Sequence, residues 1–153
     1  MSAILGTYAR RSVSFSHGKG CYLFSTSNDK YLDFVSGIAV NALGHCHDHL
    51  VKTVQEQAAK LWHVSNAFEI PEQEKLAQRL VENTFADYVI FMNSGAEATE
   101  ASIKIARKYF FEKGQPEKNR IITFKGAFHG RTLASLFAAN NPDHIKGFEP
   151  KVE

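Results

Sequence analysis

Cysteine is scarce in this chain. Cys21 and Cys46 are the only two, and the start shows no positively charged leader, long apolar core or small-residue cleavage site. A disulfide-stapled secreted fold is therefore not expected, and reduced thiols in the cytoplasm are. Long apolar runs are missing as well. The densest, 88–92, is bounded by Asp87 and Asn93, far short of the roughly 20 residues that cross a bilayer, so a soluble chain with no membrane partner is expected. Nor does one sign of charge dominate. Eighteen basic residues face 16 acidic ones, the formal net charge is +2, and the signs interleave. That gives no electrostatic case for a nucleic-acid partner.

Several site signatures are absent too. No GxGxxG or Walker pattern occurs, since Gly18-Lys19-Gly20 matches neither, so a single phosphate ester is a better expected ligand than a pyrophosphate. No CxxC or HExxH pair is present. The cluster His45, Cys46, His47, Asp48 and His49 offers zinc-competent donors, but ligands packed so closely rarely close a tetrahedral site without a distant pair. No metal is expected.

What is present suits a folded domain: 153 residues, 44% hydrophobic and 22% charged, enough to bury a core if the chain is complete. There is no internal repeat and no low-complexity tract. The aromatic-rich runs 21–25 and 31–34, joined by Ser27, Asn28 and Asp29, predict a hairpin. Leu50, Val54, Ala58 and Leu61 recur at helical spacing after Asp48, which is placed to cap that helix. Pro71, Glu72 and Glu74 open a second helix that runs to about Asn83. The run 88–92, apolar on both faces, predicts a strand of a parallel sheet. A long helix then starts near Ala96 and ends before Gly114. A second apolar strand is expected over 121–124, with a further helix from Thr132 through Leu136. Strand, helix, strand, helix implies a right-handed crossover, with both following loops at one sheet edge, where open α/β sheets bind ligands.

Asn93-Ser94-Gly95-Ala96 would then sit between a strand and a helix, where free N–H groups and the helix dipole favour an anion. The plain alternative is that Ser94 only caps and Gly95 only turns. In the next loop Phe128 offers a flat face, His129 an imidazole, Gly130 close backbone approach and Arg131 a planar fork for a carboxylate. Singly, each has an ordinary structural explanation. Meeting at one edge, they describe a flat, phosphorylated, anion-linked ligand.

Three segments in order, 36–45 (Ser36-Gly37-Ile38-Ala39-Val40-Asn41-Ala42-Leu43-Gly44-His45), 93–98 and 128–132, resemble the class III aminotransferase family. The likeness runs from about Leu5 to the last residue. It implies an α/β protein of the fold type I architecture, incomplete, with 1–65 the start of the small domain and 66–153 the first part of the large, mostly parallel-sheet domain. It implies pyridoxal 5'-phosphate as cofactor, held by Ser94, Gly95 and Ala96, with Phe128 stacked on its ring and His129 supporting the pocket. Arg131 would bind the substrate's α-carboxylate, and Ser65 and Asn66 would border the substrate pocket. The implied substrates are an amino acid and a 2-oxo acid, with N2-acetylornithine and 2-oxoglutarate foremost, as in arginine biosynthesis. Succinyldiaminopimelate, ornithine and GABA types remain alternatives, as does a non-catalytic phosphate-binding or interaction module. A cytoplasmic homodimer is implied for the full enzyme. Asp48 departs from the family's usual proline.

Transamination needs a Schiff-base lysine and an acidic partner for the pyridinium nitrogen. In the resembled family both lie well beyond residue 153, and the position matching Lys125 is not catalytic. The last residues, Pro150-Lys151-Val152-Glu153, form no closing element, so the chain is expected to be a fragment, inactive alone.

Overall fold

The computed structural model describes residues 3–150. Residues 151–153, on which the expectation of an unfinished chain end partly rests, lie outside them. The chain divides into two compact units, Met1–Ile70 and Pro71–Glu153.

The first unit is built on a three-stranded antiparallel sheet in the order β1-β2-β3: β1 (Phe15–Lys19), β2 (Tyr22–Ser25) and β3 (Lys30–Leu32). The hairpin expected over 21–34 is present as β2 and β3, in the register Tyr22↔Leu32 and Phe24↔Lys30. Ser25, buried, sets its turn by accepting Asp29 N–H at 3.0 Å. Strand β1 has no clear sequence signature, because Phe15-Ser16-His17-Gly18-Lys19 lacks apolar alternation. It forms because Gly20, at φ +56, opens a two-residue turn that folds it onto β2. His17 stacks on Phe24 at 4.5 Å, and Phe15 meets Tyr31 edge-on at 5.4 Å.

The stretch after β3 contains an unusual element. A single helical turn, α1 (Ser36–Ala39), has all four residues at positive φ: 50°, 65°, 62° and 64°. L-residues with a Cβ pay roughly 1–2 kcal/mol each for that conformation, so the surroundings must hold the turn. Asp33 does so. Its Oδ1 accepts the N–H groups of Val35 and Ser36, both at 2.9 Å, while its Oδ2 lies 2.7 Å from His45 Nε2. His45 is fixed in turn by two reciprocal backbone bonds with Gly20, at 2.9 and 2.7 Å. Helix α2 (Asp48–Ala58) follows. Asp48 is its first residue and not its cap; His47 takes that position with no side-chain bond to the helix.

The second unit holds α3 (Pro71–Glu82), α4 (Gly95–Glu112), α5 (Leu133–Ala139) and α6 (Pro142–Ile145). The helices predicted from Pro71, Ala96 and Thr132 are thus present, with Gly114 at φ +69 just past the end of α4. Helices α4 and α5 pack on each other, and the buried apolar residues Ala101, Leu136 and Ala139 lie on them.

The two predicted buried strands are not formed. Residues 88–92 and 121–124 carry no ladder among the described residues, and their side chains are exposed, Tyr88 at 91% and Ile122 at 93%, save Val89 and Phe91, which are half-buried. An extended segment becomes a strand only when a neighbour takes its alternate N–H and C=O groups. The described residues supply no such neighbour to either segment. The parallel crossover and its shared sheet edge are accordingly not observed. No helix of the described residues is long and apolar enough to cross a membrane.

Candidate functional site

Although no sheet edge joins them, the two predicted loops do meet. A cavity of about 320 Å³ is lined by Gly95, Ala96 and Thr99 from the start of α4 and by Phe128, His129, Gly130 and Arg131 from the loop before α5. Direct packing of that loop on α4 brings them together. Gly130, buried and at φ +125, lies so close to α4 that a Cβ there would sit 2.7 Å from Ala96 Cβ and 2.8 Å from Ser135 Oγ. The close approach expected of Gly130 is therefore made to α4 and α5.

The α4 side is an N-terminus with part of its capping done. Ser94 Oγ accepts Glu97 N–H at 3.2 Å, and Glu97 Oε2 turns back to accept Asn93 N–H at 2.6 Å. This is a variant of the Ser-x-x-Glu box, shifted by one residue on its return arm. The amides of Gly95 and Ala96 are left without an acceptor among the described residues. Two free donors at the positive end of an 18-residue helix suit an anion. Glu97 carries the opposing charge, yet both its oxygens face Asn93, at 2.6 Å from the backbone and 3.4 Å from the side-chain amide. Ser94 caps the helix as the plain alternative held, and does so without consuming those two donors.

The loop side supplies the ring and the cation. Phe128 is exposed in the cavity wall, with the Arg131 guanidinium 5.3 Å from its ring centroid. That is a cation–π contact between two residues that line the cavity. His129 Nε2 is buried and has no hydrogen-bond partner among the described residues, a costly arrangement unless some further group completes it.

Ser65 and Asn66 belong to the other unit. They sit in an exposed turn in which Ser65 accepts the N–H groups of Ala67 and Phe68. Nothing in the sequence had singled out Thr99 or Glu100. Among the described residues no group of three or more His, Cys, Asp or Glu side chains is placed to hold a metal ion, and His45, from the suspected zinc cluster, is engaged by Asp33.

The sequence pattern described as Aminotransferase class-III matches residues 7–153. The chain belongs to the class III aminotransferase family. Among curated relatives, the acetylornithine aminotransferase of Mesorhizobium japonicum is 59% identical over 99% of this chain and 38% of its own length. That of Agrobacterium fabrum is 57% identical over 98% and 38%. Among solved structures, the N-acetylornithine aminotransferase of Stenotrophomonas maltophilia matches with a TM-score of 0.73 at 40% identity, covering 80% of this chain and 34% of that one. The ornithine aminotransferase of Toxoplasma gondii matches with a TM-score of 0.87 at 28% identity, covering 99% and 36%. This class III aminotransferase chain thus spans a little over a third of the length of its relatives, and its α/β architecture is part of the fold type I transaminase fold.

Proposed function

We propose that this chain is the cofactor-cradling part of a pyridoxal-phosphate aminotransferase that moves an amino group from N2-acetylornithine to 2-oxoglutarate. One observation carries the proposal: free amides, an aromatic face and a guanidinium line a single cavity. The residues suit the group. Gly95 and Ala96 N–H would hold its phosphate, with Ser94 positioning them as cap, and the helix dipole would add to the attraction. Phe128 would stack on the pyridine ring. His129, with Nε2 buried and unsatisfied, would complete its hydrogen bonding in the pocket floor. Arg131 would take the substrate's α-carboxylate in a bidentate pair, for which lysine is a poor substitute. Bound pyridoxal phosphate supplies the electron sink that lets the substrate's α-C–H bond ionise.

No lysine lines the cavity. The chain by itself is therefore proposed to bind and orient without catalysing transfer. We assign 1–65 to the small domain, with Ser65 and Asn66 bordering the substrate pocket, and 66–153 to the large one. A cytoplasmic, homodimeric full enzyme completes the proposal. The high identity to acetylornithine aminotransferases favours that donor over ornithine, succinyldiaminopimelate or GABA.

The test is glutamate formation from 2-oxoglutarate with each of the four donors, using the protein that contains this chain. Preference for N2-acetylornithine is expected. Preference for another donor would refute the substrate assignment, and no glutamate from any donor would refute the aminotransferase reading.

A further inference from the structure

Thr132 is the N-cap of α5, yet its hydroxyl makes no capping bond. It donates instead to Glu100 Oε1 on α4, 32 residues away in sequence. Ser135, fully buried, lies 2.9 Å from Thr132 Oγ1 and donates to Thr132 O at 3.0 Å. A carboxylate only accepts. The single hydroxyl proton of Thr132 is therefore committed to Glu100, and the single proton of Ser135 is shared between the two oxygens of Thr132, Oγ1 and the backbone O. The chain of donors runs one way, from α5 through the loop to α4.

Glu100 also stands in a telling place. It lies four residues after Ala96, on the same face of α4 and one turn further along. Ala96 is the residue on which Gly130 is seated. The loop that carries Phe128, His129 and Arg131 is thus held at its far end twice, by a close van der Waals seat at Ala96 and by a charge-assisted hydrogen bond at Glu100. A threonine in this position commonly offers its hydroxyl oxygen to an N–H of its own helix. Here no such local bond is made, and the hydroxyl proton goes to α4.

We infer that Glu100, acting through Thr132, is a positioning residue that sets the Phe128–Arg131 face at the right distance from the Gly95 and Ala96 amides. The inference rests on the cofactor reading above. Its consequence is specific: losing the Glu100–Thr132 bond should weaken recognition of the ring and carboxylate side while sparing the phosphate side, which α4 holds alone.

The probe is 4'-deoxypyridoxine 5'-phosphate, which has the ring and phosphate but no aldehyde to react with surface lysines, titrated beside inorganic phosphate. Glu100→Ala and Thr132→Val should each raise the Kd for the ring probe about tenfold. Neither should move the Kd for phosphate more than about twofold. Thr132→Ser and Glu100→Gln, which keep a donor and an acceptor, should restore most of the affinity. The double variant Glu100→Ala/Thr132→Val should be no worse than either single one, because both remove the same bond. Unchanged ring-probe affinity in both single variants overturns the inference and leaves the cofactor reading standing. So does an equal loss for ring probe and phosphate, the signature of a disrupted α4. If the unaltered protein binds neither probe, the cofactor reading itself fails and takes the inference with it.

Discussion

The turn at Ser36–Ala39 and the loop at 128–131 are both held in costly arrangements, and they differ in where the compensation comes from. Around the turn the Asp33 carboxylate and His45 are answered locally. Asp33 accepts from Val35, Ser36 and His45, and His45 closes on Gly20 through its backbone. Around the loop the accounts stay open. Gly95 and Ala96 offer two amides, His129 a buried Nε2, and Arg131 a guanidinium whose neighbour is a ring and not a carboxylate. A region that satisfies itself is a structural lock. One whose polar groups line a cavity with no partner among the described residues is the candidate site for a ligand.

The sharpest way to break this contrast is Gly130→Ala. The added methyl would meet Ala96 and Ser135 inside 3 Å at a φ of +125°, so we expect a loss of about 2–3 kcal/mol in denaturant unfolding, together with loss of ring-probe binding. A stability within 0.5 kcal/mol of the parent, that figure being roughly the noise of surface changes, would show that the loop is not seated on α4.

Gly95→Ala separates fold from ligand. Nothing lies within 4 Å of the added methyl, and alanine is the better helix former by up to about 1 kcal/mol. Stability should hold or rise while affinity for inorganic phosphate falls about tenfold, because the methyl stands where the anion must approach. Unaltered phosphate affinity would argue that the amides are only a helix end. Ser94→Ala removes the bond to Glu97 N–H and should cost about 1 kcal/mol by chemical denaturation. A neutral result would mean that Glu97 alone caps the helix.

The smallest effect belongs to the lock. The bond from His45, with the backbone N–H groups of Ser36 and Val35, holds the Asp33 carboxyl below its ordinary range. A group depressed in the folded state stabilises above its unfolded value, about 3.9, and loses that contribution as pH falls through the folded value. Amide exchange at Val35 and Ser36 should therefore accelerate selectively below about pH 4. Protection that is indifferent to acid over that window would remove Asp33 from its role in the turn.

Much of the site was readable because its causes are local. A serine three residues before a glutamate, ahead of an apolar-periodic run, states where α4 begins. The glycine beside that serine states where a backbone can be approached. The same holds for α3, begun by Pro71, and for the hairpin turned by Ser27, Asn28 and Asp29. The strands expected over 88–92 and 121–124 were not local facts. Their apolar residues describe what a buried strand needs, and a ladder depends on a partner that periodicity cannot supply. Strand β1 failed in the opposite sense, since its register is imposed by Gly20 and β2 on a segment with little preference of its own.

The sequence alone determined helices α2 to α5, the capped start of α4 and the chemical inventory of the 128–131 loop, because each depends on residues within a turn or two of one another. Tertiary structure decided that the two loops share one cavity, that Gly130 is required by Ala96 and Ser135, and that Thr132 reaches Glu100 instead of capping its own helix. The contacts of Gly130 with Ala96 and of Thr132 with Glu100 join residues some 30 positions apart, and only packing in space can choose among the many partners a short side chain is able to take.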